Sequence, residues 1–330
     1  MMAGTGQSEI DQVREATDLV RLVSEHVAIQ PRGREYVGLC PFHDDHKPSF
    51  AVVTHKGSSF FHCFACGASG DCFRFVMRFH SMEFGEALRY LAERAGITLQ
   101  PRGAAGGERD DGGPRRGDLI ATQERALAFF RRVLADSAAG ATARGALEDR
   151  GITPDMVDRF QLGAAPEGYD GLLRRLDASD RPVARAAGLL KTRQDESGEY
   201  DAFRNRLMFP ICDEVGRPVA FGGRILDPDD QPKYLNSAES PIFRKSRTLY
   251  GLHLARRSIM DASLAIVTEG YTDVIACHQA GFENVVGTLG TALTADHARI
   301  LARICDTVVL LFDGDEAGQK AADRGVEVFF

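Results

Sequence analysis

Four carboxylates carry the first chemical signal in this 330-residue chain. Glu269 ends the apolar run Leu264–Thr268, and Asp273 follows four residues later. Asp313 and Asp315 end a second apolar run, Thr307–Phe312. Both runs read as buried parallel strands. In open α/β sheets, ligands bind outside the carboxyl ends of the strands, so the four acids are expected to meet in one crevice. Side by side they repel, and divalent cations with oxygen preference, such as Mg²⁺, would relieve that repulsion. Two-metal phosphoryl transfer is the chemistry that uses such a cluster. A lone Asp-Gly-Asp is usually a turn. Here two acidic strand ends with helix-like segments between them lift the pattern above that reading.

The second signal is soft-metal chemistry. Cys40-Pro41-Phe42-His43 and Cys63-Phe64-Ala65-Cys66 are two close ligand pairs with residues 44 to 62 between them. Two such knuckles suit tetrahedral Zn²⁺, and four protein ligands close the site, which makes it structural rather than catalytic. His46, His55, His62 and Cys72 are rival ligands. His62 is expected to point away from Cys63, because neighbours on a strand face opposite ways. Of the seven cysteines, Cys212, Cys277 and Cys305 stand isolated in apolar surroundings and read as buried thiols.

The elements that must position these groups follow from periodicity. Ile10 to Val27 has helical apolar spacing, Tyr36–Leu39 reads as a strand, and Phe50–Val53 with Phe60–His62 reads as an antiparallel pair. Pro101 to Asp118 is rich in Gly, Pro and charge, and marks a flexible linker that would tether the zinc module. Leu119–Leu134, Ala146–Arg150, Pro154–Phe160, Leu172–Leu176 and Arg181–Gly188 read as helices. Arg204 and Arg206 precede an apolar strand at alternate positions, which places both guanidinium groups on one face. The pair Gly222-Gly223 marks a place where backbone or ligand approaches closely.

The net charge of −7 argues neither for nor against nucleic acid, since bound cations would offset the acidic cluster. Local charge matters more, and basic residues gather between Arg204 and Arg257. Aromatic residues interleaved with Arg and Lys around the zinc knuckles suit single-stranded nucleic acid, although a small zinc domain needs most of those rings as its core. No apolar run approaches a membrane span and no secretory signal opens the chain, so a cytoplasmic protein is expected.

These motifs together carry a resemblance. The acidic strand ends resemble the Toprim fold of bacterial primases, topoisomerases and related nucleases, and the stretches Glu269-Gly270-Tyr271-Thr272-Asp273 and Gly287-Thr288-Leu289-Gly290-Thr291-Ala292-Leu293-Thr294 are most similar to its primase version. Arg34 to His43, Lys47-Pro48-Ser49-Phe50 and Phe61 to Gly67 resemble the zinc-binding domain of bacterial DNA primases. FRNRLMFPI, FGGR, PKYLNS and LYG resemble the primase polymerase domain.

The resemblance implies a multidomain α+β and α/β chain. A zinc-ribbon domain (1–100) and a linker (101–118) would be followed by the amino-terminal part of a polymerase core (119–260). A Toprim subdomain (261–330) would then be cut short of the family's further acidic residues, helical sub-domain and helicase-binding domain. It implies a DNA-dependent RNA polymerase that makes primers on single-stranded DNA from ribonucleoside triphosphates. Cys40, His43, Cys63 and Cys66 would hold zinc. Glu269, Asp273, Asp313 and Asp315 would hold Mg²⁺ or Mn²⁺. Arg150, Arg204, Arg206, Lys233 and Lys245 would hold phosphates and the template–primer backbone. A monomer at the replication fork in the nucleoid is expected, meeting the replicative helicase through the domain not present in this sequence. Another Toprim enzyme is the alternative, although Ala317 stands where topoisomerases and nucleases carry a third acid. So is a zinc-dependent single-strand-binding module.

Overall fold

The structure is a computed structural model that describes residues 5–54, 58–80, 82, 84–99, 114–193, 198–314 and 316–329. Asp315, His55 and most of the expected linker lie outside the described residues. The chain divides into two compact units, one built on 1–110 and 299–304 and the other on 111–298 and 305–330.

The first unit is a five-stranded antiparallel sheet in sequential order: β1 (Ile29–Arg32), β2 (Glu35–Gly38), β3 (Phe50–Val53), β4 (Phe60–Cys63) and β5 (Ser69–Gly70). The expected β3–β4 pair forms, with Phe50 opposite Cys63. Its inner face stacks Phe50 on Phe61, with ring centroids 5.4 Å apart, and edges Phe75 against both. These three rings are fully buried, so they are the core of a small domain and not a base-stacking surface. The helix expected from Ile10 to Val27 is two helices, Thr5–Ala16 and Leu19–Ser24. The break is at Asp18, whose carboxylate accepts from the Arg21 amide and caps the second helix. Asp71 caps the helix Cys72–Phe79 in the same way, through the Arg74 amide.

The second unit opens with the helix Arg116–Ala135, which starts inside the span read as linker. Gln123, fully buried on it, donates to the carbonyls of Ala187 and Val219 and ties the helix to the body of the unit. Next come β6 (Gly163–Ala165), the hairpin β7 (Leu190–Thr192) and β8 (Glu199–Asp201), then β9 (Arg206–Cys212), β10 (Pro218–Ile225) and β11 (Tyr234–Asn236). β11-β10-β9-β6 is an antiparallel sheet. β12 (Leu264–Thr268), β13 (Val285–Gly287) and β14 (Thr307–Leu310) make a parallel sheet in the order β13-β12-β14. The helix Tyr271–Gln279 crosses from β12 to β13. This is the α/β layer expected from the two acidic strand ends. Along β14 the apolar Val309 and, just past it, Leu311 are 43% and 53% exposed. Among the described residues, no helix is long and apolar enough to cross a membrane.

Candidate zinc centre and acidic active-site pocket

Cys40 follows β2, Cys63 ends β4, and His43 and Cys66 sit on the turns beyond them. The four ligand atoms lie within 4.8 Å of one another, the one such group among the described residues. Cys40 Sγ is 3.8 Å from Cys66 Sγ, and Cys63 Sγ is 3.9 Å from His43 Nδ1. Sulfurs bound at about 2.3 Å on tetrahedral corners stand roughly 3.8 Å apart, so the cage fits Zn²⁺. Each knuckle points amides at sulfur, Phe42 N–H at Cys40 and Cys66 N–H at Cys63. Gly67 closes the second turn at φ +72°, a conformation other residues rarely adopt. Burial pushes the Cys40 thiol up. Burial also acts on Cys63, but the Cys66 amide and the Ser49 hydroxyl outweigh it and draw that thiol down to about 7.

Asp45 was not anticipated from the sequence. One of its oxygens accepts from the Cys40 amide at 2.7 Å and from Ser49 Oγ at 2.6 Å. The other lies 3.7 Å from His43 Nε2, within ion-pair range but too far for a hydrogen bond. The described rivals lie outside the cage: His46 is exposed beside Asp44, His62 sets its ring against Phe64, and Cys72 is buried at a helix start.

The second site is a cavity of about 340 Å³ where the parallel sheet meets the edge of the antiparallel one. Glu269, Asp273 and Asp313 line it, with Gly270, Tyr271, Thr272 and Gly290 on the same side and Arg224, Lys233, Tyr234 and Asn236 opposite. Val267 of β12 pairs with Leu310 of β14, so both strands deliver their following residues to one end. Glu269 Oε1 accepts from the Asp313 amide at 3.1 Å, joining the two strand ends. Asp273, in the first turn of its helix, accepts from the Gly270 amide at 3.0 Å. Loss of water raises the Asp273 pKa, the Gly270 amide opposes this, and the charge on Asp313 adds to the rise. A cation between the two carboxylates would relieve that repulsion, so the donor set fits a hard divalent ion.

The far wall was mostly missed. Arg224 donates to Tyr234 Oη and lies over its ring, 5.2 Å from the centroid. Tyr271 stacks on Phe209 at 4.9 Å and 14°, and donates to Asn236 Oδ1 at 2.6 Å. Asn236 in turn donates to the Leu289 carbonyl. The signal was Gly222-Gly223. A Cβ on Gly222 would lie 2.3 Å from the Tyr271 phenol, so the expected close approach is made by that ring.

The five basic residues singled out in the sequence do not share one place. Lys233 is exposed at the cavity. Arg206 is buried, donating to the carbonyls of Gly223 and Pro232 with Asp230 3.6 Å away. Arg204 does not share its face: β9 starts at Arg206, and Asn205 between them has φ +48°, which breaks the alternation. The Arg204 guanidinium lies over Tyr169 and Tyr200. Arg150 is exposed and donates to Ala146 O, and Lys245 is half-buried in the 3₁₀ turn Lys245–Arg247.

Comparison with known proteins places each part. Residues 5–106 match the CHC2 zinc finger, 129–256 the amino-terminal domain of the DNA primase catalytic core, and 263–329 the Toprim domain. The DNA primase of Halalkalibacterium halodurans is 42% identical over 324 residues, covering 98% of this chain and 53% of that protein. The solved zinc-binding and RNA polymerase domains of Aquifex aeolicus primase are 32% identical, with 97% of this chain and 76% of theirs covered and a TM-score of 0.61. A DnaG primase catalytic domain solved with single-stranded DNA is 40% identical, with 64% of this chain and 66% of that one covered and a TM-score of 0.60. The chain spans about half the length of the curated relatives it matches. With a zinc ribbon, a primase catalytic core and a Toprim sheet in sequence, this chain belongs to the DNA primase family.

Proposed function

We propose that this chain is the zinc-binding and catalytic portion of a primer-synthesising, DNA-dependent RNA polymerase acting in DNA replication. The observation that carries the reading is the cavity that gathers Glu269, Asp273 and Asp313 opposite Arg224 and Lys233. Acids facing cations across one crevice suit a metal-bound triphosphate, where catalysis is positioning plus electrostatic stabilisation. Glu269, Asp273, Asp313 and, by its place after β14, Asp315 would hold Mg²⁺ or Mn²⁺. When bound, such ions lower the pKa of the attacking hydroxyl and neutralise the leaving pyrophosphate.

The chain's own residues do the rest. The Asp313 amide fixes the Glu269 carboxylate. Gly270 fixes Asp273. Arg224 and Lys233 balance the triphosphate charge, and Arg150, Arg204 and Lys245 contact nucleotide or template phosphates. Arg206, spent on backbone carbonyls, braces the wall that carries Arg224. The zinc module, read over 1–100, would contact the single-stranded template, and the polymerase core (119–260) and Toprim part (261–330) would carry out synthesis. The relative solved with single-stranded DNA is a catalytic domain, which supports that ligand for the polymerase core and Toprim part.

The test is synthesis of short RNA from labelled ribonucleoside triphosphates on single-stranded DNA, with Mg²⁺ or Mn²⁺. This chain and a version extended to its relatives' length are assayed side by side. RNA from the extended version supports the reading. RNA from neither, with zinc and DNA still bound, turns it toward a binding module.

A further inference from the structure

The basic turn Arg244 to Arg247 holds three cations in four residues, with Arg244 and Arg247 exposed. Its backbone is not held by its own 3₁₀ bonds alone. His297 Nε2 donates to the Lys245 carbonyl at 3.0 Å, and Thr294 Oγ1 donates to the Ser246 carbonyl at 2.6 Å. Both partners come from about fifty residues away, at the start of the helix Ala295–Ala302. They also lock each other. The Thr294 amide donates to His297 Nδ1 at 3.3 Å, and the His297 amide donates to Thr294 Oγ1 at 3.2 Å. This is a capping box with histidine where Glu or Gln usually stands.

The tautomer follows from the partners. Nδ1 accepts, so the proton sits on Nε2 and faces Lys245. His297 is fully buried, and that burial keeps it neutral. A Glu in its place could accept from Thr294 but could not donate to Lys245. Neutral histidine does both. Two successive carbonyls fixed from outside set the rotation of the turn, and with it the direction in which Lys245 leaves the backbone. On the other side, Glu239 Oε1 accepts from the Lys245 amide at 3.1 Å.

We infer that His297, with Thr294, is a positioning residue that aims Lys245 and its basic turn at the phosphates of a nucleotide or single-stranded template. This rests on the reading of Lys245 as a phosphate contact. The test is equilibrium binding of a fluorescein-labelled single-stranded oligodeoxynucleotide and, separately, of a fluorescent ribonucleoside triphosphate. Both are measured across a salt series for wild type, Lys245→Ala, His297→Leu, the double variant and His297→Gln.

Lys245→Ala and His297→Leu should each weaken the same ligand about 5- to 10-fold. If that ligand is the oligonucleotide, each should lower its salt slope by about 0.7. The double variant should bind no worse than Lys245→Ala. His297→Gln, which keeps an N–H for the Lys245 carbonyl, should bind near wild type. The arm that responds tells nucleotide from template. Folded His297→Leu with unchanged binding, or losses that multiply in the double variant, would overturn the positioning role. Wild-type binding with Lys245→Ala unaffected removes the premise, and no wild-type binding at all sinks the nucleic-acid reading itself. Should His297→Leu not fold, Thr294→Val, which removes only the hydroxyl's bonds, must show the same non-additivity with Lys245→Ala.

Discussion

Gly222→Ala is a small change with a large expected effect. The new methyl carbon would lie 2.3 Å from Tyr271 Cζ and Oη, well inside contact distance. The ring has nowhere to go. Phe209 stacks on it, Tyr250 meets it edge-on at 4.7 Å, and Asn236 accepts its hydroxyl. Overpacking a filled site costs about 1–3 kcal/mol, and a lost buried hydrogen bond adds about 1. We therefore expect about 2–3 kcal/mol of destabilisation, even though alanine suits a strand better than glycine. For a unit of this size that lowers Tm by roughly 4–12 °C. The same shift moves Tyr271, the first residue of the helix that carries Asp273, so divalent-cation affinity at the pocket should fall as well. The assay is thermal unfolding of Gly222→Ala, Tyr271→Leu and the double variant. Removing the ring removes the clash, so Gly222→Ala should cost about 1–2 kcal/mol less in the Tyr271→Leu background. If Gly222→Ala unfolds within 1 °C of wild type, or costs as much without the ring as with it, the contact does not hold the site as argued.

Three further outcomes follow from the same geometry. Arg206→Met should cost about 2–4 kcal/mol of stability, because the carbonyls of Gly223 and Pro232 lose their donor, while Arg204→Ala should leave Tm nearly unchanged; chemical denaturation of the two variants checks this. Zinc removal by a strong chelator should unfold the first unit and leave the second folded, read as loss of one thermal transition, and Asp45→Ala should weaken zinc about 10-fold by freeing the Cys40 amide and the Ser49 hydroxyl from the carboxylate that holds the knuckle. The raised Asp273 pKa favours the folded protein while the carboxyl is protonated, an advantage lost as pH rises through that pKa. Asp273→Asn should therefore raise Tm at pH 7 without divalent cation, with the gain shrinking toward pH 4; a flat difference across pH contradicts the crowding of these acids.

The parts of the site legible in the sequence were those fixed by local spacing. The zinc knuckles stood out because each ligand pair lies on one tight turn, and a turn's geometry is set within four residues. The acidic strand ends stood out because an apolar strand followed by an acid and glycine constrains where the acid emerges. Long-range partners were not legible. Asn236 joins Tyr271 to Leu289 across 35 and 53 residues. Nothing in the local pattern names those partners. Arg206 shows the opposite failure. Its spacing from Arg204 suggested a shared outward face, but one left-handed residue, Asn205, separates their directions, and the interior supplied carbonyls for Arg206. The long first helix broke for a local reason that was visible in Thr17-Asp18, a capping pair inside an otherwise continuous apolar period.

On the reading proposed above, the acids beyond β12 and β14 form the divalent-cation centre of an RNA-synthesising site. The most direct measurement compares wild type with Asp313→Asn, both extended to the length of their relatives. Mn²⁺ binding is followed by electron paramagnetic resonance, alongside primer synthesis and single-stranded DNA binding on the same preparations. The account predicts that Asp313→Asn loses Mn²⁺ affinity and primer synthesis while binding DNA within about twofold of wild type. Primer synthesis that survives Asp313→Asn with Mn²⁺ affinity intact would contradict it.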